Sequence, residues 1–382
     1  MRKVGIITRH YRINYGSRLQ AVALQRAIES MGFYCEIIDY RYDGALTGWA
    51  LFRSKLGKRF YYIRHIDVFC GKIIDKIAIL VNRKNIKRKT ELYKRFFTKY
   101  MKVTSKVYMS DEEILADPPI FDIYIVGSDQ TWNPFVCDNP DAFYLSFAPE
   151  GAKKASYAPS IAIDEFSPEQ AARFLRLTRD IQYLSCREEE GSELIRRITG
   201  REVTTVLDPT FLLSKEEWVK FSEEMPHPKR YILQYLLGEK KEHRKYVKKL
   251  AEKFNLPIVS IPRIPRDMIE GGVIRRWPGP SGFLRLLMDA ELVCTDSFHG
   301  TALSINFEVP VYTFLKMDAN DPANENSRIR SLYDRFGIKN RIITDFSILP
   351  RNYAFCYRDY KEKYDALVNN SYKYLRTILD ES

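Results

Sequence analysis

The chain has 382 residues, a formal net charge of +12 and 45% hydrophobic residues. This length predicts two domains, or three, and the composition predicts packed cores and excludes a disordered protein. No uninterrupted apolar stretch approaches the ~20 residues that a membrane-spanning helix needs. The chain opens on a strand-like run without the features of a signal peptide, and its six cysteines are scattered, so we expect a cytoplasmic protein.

The positive charge is concentrated in residues 53–106, which contain 17 Lys or Arg and three acidic residues. Apolar residues recur there at near-helical spacing over 60–80, and a basic run follows over 82–89. Such an amphipathic basic helix suits an anionic membrane surface, and an ordinary helix with a solvated basic face is the alternative. No nucleic-acid-binding motif is present, so we expect no nucleic-acid partner.

Strands and helices alternate along the rest of the chain. In the first half, strands are predicted over 4–8, 35–40, 123–126, 154–158, 182–185 and 204–207, with helices over 16–31 and 168–177. In the second half, strands are predicted over 231–236, 257–261, 292–294 and 311–315. Helices are predicted there over 239–254, from 283, over 301–307 and over 359–379. This alternation is typical of parallel, doubly wound sheets.

We therefore predict an α/β protein with two doubly wound, Rossmann-like domains that face each other across a cleft. Lys, Glu and Pro cluster over 212–228, which places the boundary there. The N-terminal domain would cover 1–215 and include the basic insertion 53–106. The C-terminal domain would cover 216–345, and a helical tail over 346–382 would pack back on the first domain.

The strongest chemical signal lies between the predicted strand 292–294 and the helix after it. Asp296 and Ser297 end the strand, and His299 and Gly300 open the helix. Ligands bind at the carboxyl ends of parallel strands, and the N–H groups at a helix start favour anions. A histidine beside them indicates a negatively charged substrate, whereas a capped turn with a structural histidine is the alternative.

Several cations are predicted at neighbouring positions. Lys316 ends the strand 311–315, and Arg328 and Arg330 lie where the next helix starts. Arg187 follows the strand 182–185 in the first domain. Such a group suits phosphate and carboxylate, which arginine binds in bidentate fashion. For Arg187, an ion-paired surface residue is the alternative.

Two strand ends in the first half carry polar residues. The first leads into a helix start with Asn14 and Gly16, where a glycine lets the backbone approach a ligand. The second combines a candidate base, amides and an aromatic ring in Ser128, Asp129, Gln130, Trp132 and Asn133. That mixture suits a sugar, whose C–H face stacks on a ring while its hydroxyls bond side chains. Helix capping and an Asx turn explain part of these residues without a ligand.

Three motifs, in this order along the chain, resemble those of the polysaccharide pyruvyl transferase family. They are Val-Gly-Ser-Asp-Gln-Thr-Trp-Asn over 126–133, Leu-Asp-Pro-Thr-Phe-Leu-Leu over 207–213 and Asp-Ser-Phe-His-Gly over 296–300. The resemblance covers roughly residues 1–340, which makes it more specific than a single motif. It implies a two-domain fold like that of GT-B glycosyltransferases. It also implies transfer of the enolpyruvyl unit of phosphoenolpyruvate to a saccharide as a pyruvate ketal, with loss of phosphate.

The same resemblance implies that Arg187, His299 and Lys316 hold phosphoenolpyruvate. Our hypothesis is that His299 acts as an acid or an electrostatic anchor, with the cations and the Ser297–Gly300 turn around the donor. Arg328 would help to neutralise the donor. Asp129 is our candidate for the base that activates an acceptor hydroxyl, and Asp296 is the alternative. The acceptor would lie against Asn14, Gly16, Ser128, Gln130, Trp132 and Asn133.

No cluster in the sequence has metal-ligand spacing, so we expect no metal and no cofactor besides phosphoenolpyruvate as co-substrate. The expected acceptor is a hexose of a polysaccharide or of its lipid-linked precursor. Two alternatives stay open: a nucleotide-sugar-dependent glycosyltransferase with the GT-B fold, and a non-catalytic saccharide-binding protein. The sequence does not determine the acceptor hydroxyls or the oligomeric state.

Overall fold

The N-terminal half is built on a five-stranded parallel sheet with the strand order β3-β2-β1-β4-β5. The computed structural model describes residues 2–41, 66–135, 140–317 and 326–380. The strands are β1 (Lys3–Ile7), β2 (Tyr34–Tyr40), β3 (Val103–Tyr108), β4 (Ile123–Val126) and β5 (Lys153–Ser156). β4 is buried along its whole length, as expected for a central strand covered on both faces.

Within the described residues, six helices and a small second sheet complete this half. The helices are α1 (Tyr15–Ser30), α2 (Ile66–Val81), α3 (Arg83–Tyr100), α4 (Asp111–Ala116), α5 (Pro168–Thr178) and α6 (Glu189–Thr199). Strands β6 (Leu184–Cys186) and β7 (Val203–Thr205) pair in parallel. Helix α1 starts where the Asn14 side chain accepts a hydrogen bond from the backbone N–H of Ser17. Just after its end, Gly32 has a φ of 90°, which favours glycine.

The C-terminal half has a six-stranded parallel sheet with the order β10-β9-β8-β11-β12-β13. Its strands are β8 (Ile232–Tyr235), β9 (Ile258–Ser260), β10 (Ile274–Arg275), β11 (Leu292–Thr295), β12 (Val311–Phe314) and β13 (Ile342–Ile343). Its helices are α7 (Lys215–Val219), α8 (Lys241–Phe254), α9 (Pro280–Met288), α10 (Phe298–Asn306), α11 (Ser327–Phe336) and α12 (Lys361–Asp380). The predicted α/β fold with parallel sheets is therefore confirmed.

In the part of the chain that the structure describes, short 3₁₀ helices cover Asp141–Tyr144, Pro209–Phe211, Pro265–Met268 and Tyr357–Tyr360. The Pro209–Phe211 helix lies just after β7, which is shorter than the strand predicted over 204–207. Strand β7 ends at Thr205, because the N–H of Leu207 donates a 2.9 Å hydrogen bond to the Ser371 hydroxyl on α12. The chain then turns into the Pro209–Phe211 helix, which carries Asp208 at its N-cap.

Helix α12 returns to the N-terminal half. Tyr374 donates a 3.0 Å hydrogen bond to the carbonyl oxygen of Ser156 at the end of β5. Leu375, Ile378 and Leu379 on the same helix are fully buried. The last helix therefore packs on the first sheet, although it follows the second sheet in the chain.

The basic segment also joins the two halves. Residues 42–65 lie outside the described residues, and with them the first part of the predicted amphipathic helix. In α3, Arg95 forms an ion pair with Glu223, and Leu92 packs so closely on Gly279 that a Cβ there would approach it to 2.5 Å. Helix α2 contacts the 3₁₀ helix Pro265–Met268. None of the described helices is long and apolar enough to cross a membrane.

Candidate active site

A cavity of about 160 Å³ lies between the two halves. The N-terminal half contributes the start of α1 and the loop after β4, with Asn14, Asp129 and Gln130. The C-terminal half contributes residues at the carboxyl ends of β8, β11 and β12 and at the start of α11: Leu237, Asp296, Ser297, Phe298, His299, Lys316, Asn326, Arg328 and Ile329. Strand ends of both sheets thus form one site, as expected for open parallel sheets.

Three helices begin at the wall of this cavity. Asn14, Ser297 and Asn326 are the N-cap residues of α1, α10 and α11, and all three line the cavity. The Ser297 hydroxyl accepts a 3.2 Å hydrogen bond from the N–H of Gly300. Because a helix N-terminus carries partial positive charge, three of them at one cavity favour an anionic ligand.

Three basic side chains line the same cavity: His299, Lys316 and Arg328. Their elements are different, since His299 is on α10, Lys316 follows β12 and Arg328 is on α11. The structure therefore brings together these residues and Ser297, as the sequence predicts for the donor side. Arg330, two residues further on, is exposed and does not line the cavity.

Arg187 lies behind the cavity wall rather than in it. Its guanidinium is 4.0 Å from the centre of the Phe298 ring, and its side chain is only 2% exposed. Nη1 donates to Asp208 at 2.9 Å and Nε to Glu188 at 3.0 Å. Burial would lower the pKa of Arg187, but the two carboxylates outweigh it and raise the pKa. Arg187 is thus a buried, ion-paired cation, and it is not among the residues that line the cavity.

Asp208 connects most of the site and is the residue that sequence reasoning missed. Its Oδ2 accepts hydrogen bonds from Arg187 and from the Ser128 hydroxyl at 3.2 Å, and its Oδ1 accepts from the N–H and hydroxyl of Thr210. Oδ2 also lies 3.4 Å from Nε2 of His299. Burial would raise the pKa of Asp208, but His299, Arg187 and the Thr210 N–H lower it. The signal was available, because Asp208 belongs to the second family motif and follows a predicted strand.

His299 is held between two groups of the N-terminal half. Its Nε2 faces Asp208 but makes no hydrogen bond with any described residue. On another side, the imidazole packs against the backbone of Gly16. The predicted role of Gly16, close approach of the backbone to a ligand, is therefore corrected: the glycine makes room for the ring of His299.

Asp129 faces this histidine from the N-terminal half. It follows β4 with a φ of 65°, and its Oδ2 accepts a 3.0 Å hydrogen bond from the hydroxyl of Ser17. Burial would raise the pKa of Asp129, but four positive groups outweigh it and lower the pKa: His299, Arg187, Arg9 and Arg328. The carboxylate is thus ionised near neutral pH and lines the cavity, so it has the charge state in which it can accept a proton.

Asp296, the alternative base, is engaged by the backbone. Its two oxygens accept hydrogen bonds from the N–H groups of Leu237 at 2.5 Å and Gly238 at 2.9 Å. Both bonds fix the loop after β8, and His243 lies 3.8 Å from the same carboxylate. This arrangement favours Asp129 over Asp296 as the base.

The structure places Trp132 in the core, so the prediction that its ring stacks on a sugar is wrong. The ring is fully buried, with its centre 5.9 Å from that of Tyr144 in a stacked arrangement, and Nε1 donates to the carbonyl oxygen of Phe143. Asn133 is also buried, and its side chain accepts a 2.9 Å hydrogen bond from the N–H of Phe135. The Asx turn accounts for Asn133 without a ligand.

Ser128 is likewise unavailable to an acceptor. It is fully buried, and its hydroxyl is shared between the carbonyl oxygen of Ala158 and the carboxylate of Asp208. Of the predicted acceptor residues, Asn14 and Gln130 line the cavity. Within the described ranges, no group of three or more His, Cys, Asp or Glu is placed to hold a metal ion.

Comparison with known proteins agrees with the motifs. The sequence pattern of the family described as polysaccharide pyruvyl transferase matches residues 14–315. No curated protein matches the chain significantly. Among solved structures, UDP-N-acetylglucosamine 2-epimerase from Rickettsia bellii has a TM-score of 0.51 at 11% identity, covering 99% of this chain and 96% of that chain. UDP-GlcNAc 2-epimerase from Methanocaldococcus jannaschii, in complex with UDP-GlcNAc and UDP, has a TM-score of 0.49 at 15% identity, covering 100% and 93%.

At such low identity the similarity to the Rickettsia bellii protein concerns the fold, which is the two-domain α/β arrangement of GT-B proteins. The family match also indicates the class of activity, because it spans most of the chain and includes the cavity residues from Asn14 to the end of β12. The chain therefore belongs to the polysaccharide pyruvyl transferase family and is a transferase.

Proposed function

We propose that the protein transfers the pyruvyl unit of phosphoenolpyruvate to two hydroxyls of a hexose, in a polysaccharide or its lipid-linked precursor. The product would be a cyclic ketal, and phosphate would be released. The observation that carries this proposal is the convergence of three helix starts and three basic side chains on one cavity opposite Asp129. Phosphoenolpyruvate presents a phosphate and a carboxylate, which such a cavity suits.

The reaction forms two C–O bonds at C2 of phosphoenolpyruvate and breaks the bond from C2 to the phosphate oxygen. The first acceptor hydroxyl adds to C2, while a proton goes to the methylene carbon and makes it a methyl group. The second hydroxyl replaces phosphate at C2, and its proton leaves with the phosphate. The site must therefore deliver one proton to the methylene carbon and accept the proton that the first hydroxyl loses.

The cavity residues fit these roles. His299 would deliver a proton to the methylene carbon or hold the phosphate, with the Asp208 carboxylate 3.4 Å from its Nε2. Lys316 and Arg328 would neutralise the phosphate and the carboxylate. Asp129, ionised at neutral pH by the surrounding positive charge, would accept the proton of an acceptor hydroxyl.

Phosphate release from phosphoenolpyruvate, measured with a panel of hexose acceptors, tests this reaction. We expect release that depends on the acceptor, and a new methyl signal of the ketal in proton NMR spectra. His299→Asn should lose at least ~100-fold in kcat, as for a general acid. The matched control is His227→Asn, since His227 pairs with Asp289 away from the cavity and should be dispensable for turnover.

Unchanged turnover in His299→Asn, or no phosphate release with any acceptor, would contradict the proposal. The same panel is tested with nucleotide sugars in place of phosphoenolpyruvate. Release of a nucleoside diphosphate would then identify a glycosyltransferase, and saccharide binding without any release would identify a binding protein. We also propose that turnover needs no metal or cofactor, so that it survives treatment with a chelator.

We further propose that the protein contacts the inner face of the cytoplasmic membrane. At the end of α2, the side chains of Ile77, Leu80 and Val81 are 54%, 69% and 74% exposed. Helix α3 begins directly after them with the exposed residues Arg83, Lys84 and Lys87. An apolar edge beside a basic surface suits an anionic bilayer, where a lipid-linked acceptor would be found.

A further inference from the structure

Lys316 reaches the cavity over a glycine. It follows β12, and a Cβ atom added to Gly238 would lie 3.0 Å from Cγ and 3.9 Å from Cδ of the lysine. Gly238 belongs to the loop after β8, next to Leu237, which lines the cavity. Because residue 238 has no side chain, the stem of Lys316 can lie directly on the backbone of this loop.

Asp296 fixes the backbone on which the stem lies. Its Oδ1 and Oδ2 accept hydrogen bonds from the N–H groups of Leu237 at 2.5 Å and Gly238 at 2.9 Å. In addition, Nη1 of Arg244 donates a 3.0 Å hydrogen bond to the carbonyl oxygen of Gly238. Hydrogen bonds to ionised groups are about twice as strong as those between neutral groups. The loop beside Lys316 is therefore held by charged side chains at its N–H groups and at its carbonyl oxygen.

Asn326 fixes the residue that follows the lysine in the chain. Its Nδ2 donates a 2.8 Å hydrogen bond to the carbonyl oxygen of Met317, and its Oδ1 accepts one of 3.4 Å from the N–H of the same residue. Asn326 is the N-cap residue of α11, where an asparagine normally accepts a hydrogen bond from the helix start. Among the described residues, its side chain makes no such capping bond. The amide group is used to hold Met317, the neighbour of Lys316.

Asp296 and Asn326 thus act on the surroundings of one cation. Both line the cavity, and they are only 4% and 5% exposed. A lysine side chain has a flexible four-carbon stem, and an anion that binds it must restrict that freedom. When the stem is already fixed, the entropic cost of binding is smaller and the anion binds more tightly.

We propose that Asp296, Asn326 and Gly238 position Lys316 for the phosphate group of phosphoenolpyruvate. We call these three residues the lysine cradle. Asp296 and Asn326 are positioning residues, because they act on the donor through Lys316. The inference rests on the proposed function, since that function names the donor. It gives Asp296 a role that differs from that of the base.

Calorimetric titration with phosphoenolpyruvate and with inorganic phosphate tests the lysine cradle. We expect Lys316→Met to weaken the binding of both about tenfold or more, since one charged contact is lost. Asp296→Asn should weaken it about threefold to tenfold, because the NH₂ group of the amide cannot accept a hydrogen bond from the second backbone N–H and the stem is released. Asn326→Ala should have an effect of similar size. KM for the acceptor should not change in these variants.

Double variants show whether the lysine cradle acts through the lysine. Lys316→Met keeps most of the stem and removes the charge, so adding Asp296→Asn or Asn326→Ala should weaken phosphoenolpyruvate binding by less than about twofold further. Full additivity would overturn the inference, because the two residues would then act on the donor independently of Lys316. A large loss of kcat in Asp296→Asn with unchanged affinity would also overturn it and would identify Asp296 as the base.

Asp111→Asn is the matched control, because the Asp111 carboxylate also accepts hydrogen bonds from two consecutive backbone N–H groups, those of Asp141 and Ala142. Asp111 is in the N-terminal half and is not among the cavity residues, so the variant should bind phosphoenolpyruvate like the wild type. Gly238→Ala tests the lysine cradle without removing a hydrogen bond. Its methyl group should displace the lysine stem and weaken binding about threefold or more. Wild-type affinity in Gly238→Ala would count against the inference.

The binding measurement also separates this inference from the proposed reaction. If the affinities follow the expected pattern while no acceptor gives phosphate release, the lysine cradle stands and the proposed reaction fails. If phosphate is released and Asp296→Asn, Asn326→Ala and Gly238→Ala all bind phosphoenolpyruvate like the wild type, the lysine cradle fails and the reaction stands. If the wild type binds neither ligand, both fail.

Discussion

A Cβ atom added to Gly16 would lie 2.1 Å from Nδ1 of His299, so the backbone of one half supports the imidazole of the other. Gly16 is at the start of α1, and His299 is at the start of α10. The position of the histidine in the cavity therefore depends on the packing of the two halves against each other.

We expect Gly16→Ala to lower kcat at least tenfold while the protein stays folded. The added methyl group needs space that the imidazole occupies, whereas alanine itself is well suited to a helix. Turnover with phosphoenolpyruvate measures kcat, and a thermal unfolding curve shows whether the variant stays folded. Gly271→Ala is the control, because a Cβ at Gly271 meets no atom within 4 Å. A Gly16→Ala protein with wild-type kcat would show that the histidine can shift without consequence.

Asp208→Asn should destabilise the protein and change its response to acid. Removing one partner of a buried charged network costs about 3–5 kcal/mol in unfolding free energy. Because the folded-state pKa of Asp208 is lowered, its stabilisation is complete above the ordinary pKa of about 4 and is lost as the pH falls further. Urea unfolding at pH 7, 4 and 3 should therefore show that the unfolding free energy of Asp208→Asn falls less with decreasing pH than that of the wild type.

The comparison for Asp208→Asn is Asp180→Asn, since Asp180 is exposed. Its unfolding free energy should follow that of the wild type at each pH. Parallel pH curves for Asp208→Asn and the wild type would mean that Asp208 does not stabilise the folded state through its charge.

Substitutions of Trp132 and Gln130 should have different effects, because Trp132 packs in the core and Gln130 lines the cavity. Trp132→Phe leaves the Phe143 carbonyl without its donor and should cost about 1–3 kcal/mol in unfolding free energy, with KM for the acceptor unchanged. Gln130→Ala, at the cavity wall, should raise KM for the acceptor several-fold with little effect on stability. Denaturant titrations and acceptor kinetics on both variants measure this. The opposite pattern would restore Trp132 as a sugar-binding residue.

Membrane contact is expected to depend on the basic start of α3. Replacing Arg83, Lys84 and Lys87 by glutamine removes three charges, each worth about 1 kcal/mol at an anionic surface, so affinity should fall roughly 100-fold. Sedimentation with phosphatidylglycerol vesicles measures this affinity. Phosphatidylcholine vesicles should bind little of the wild type or of the variant. The control changes three exposed lysines of α8, namely Lys241, Lys245 and Lys249. Equal loss in both triple variants would indicate general charge attraction without a defined surface.

The sequence predicted the fold and one side of the site well, for a physical reason. Alternating apolar runs indicate parallel sheets, and parallel sheets bring their carboxyl strand ends to one edge, so Ser297, His299 and Lys316 could be expected together. Side-chain direction within a loop has no such periodicity. Trp132 turns into the core, although Asp129 and Gln130 in the same loop line the cavity.

The role of Asp208 could not be read from spacing either. Its partners Ser128, Arg187 and His299 are distant in the chain, and only the packed structure brings them to one carboxylate. Likewise, the basic segment gave no sign of its contact with Gly279, because nothing in its own sequence specifies a partner in the C-terminal half. Long-range contacts of this kind follow from packing of whole elements and not from local pattern.

The three helix starts at the cavity make its affinity for an anion less dependent on any single side chain. Their positive charge comes from peptide N–H groups, which neither titrate between pH 5 and 9 nor disappear when a side chain is replaced. Part of the attraction for an anion is therefore independent of pH and of any single substitution. Variants at His299, Lys316 or Arg328 should each keep measurable affinity for phosphoenolpyruvate, and loss of turnover in them would report chemistry more than occupancy.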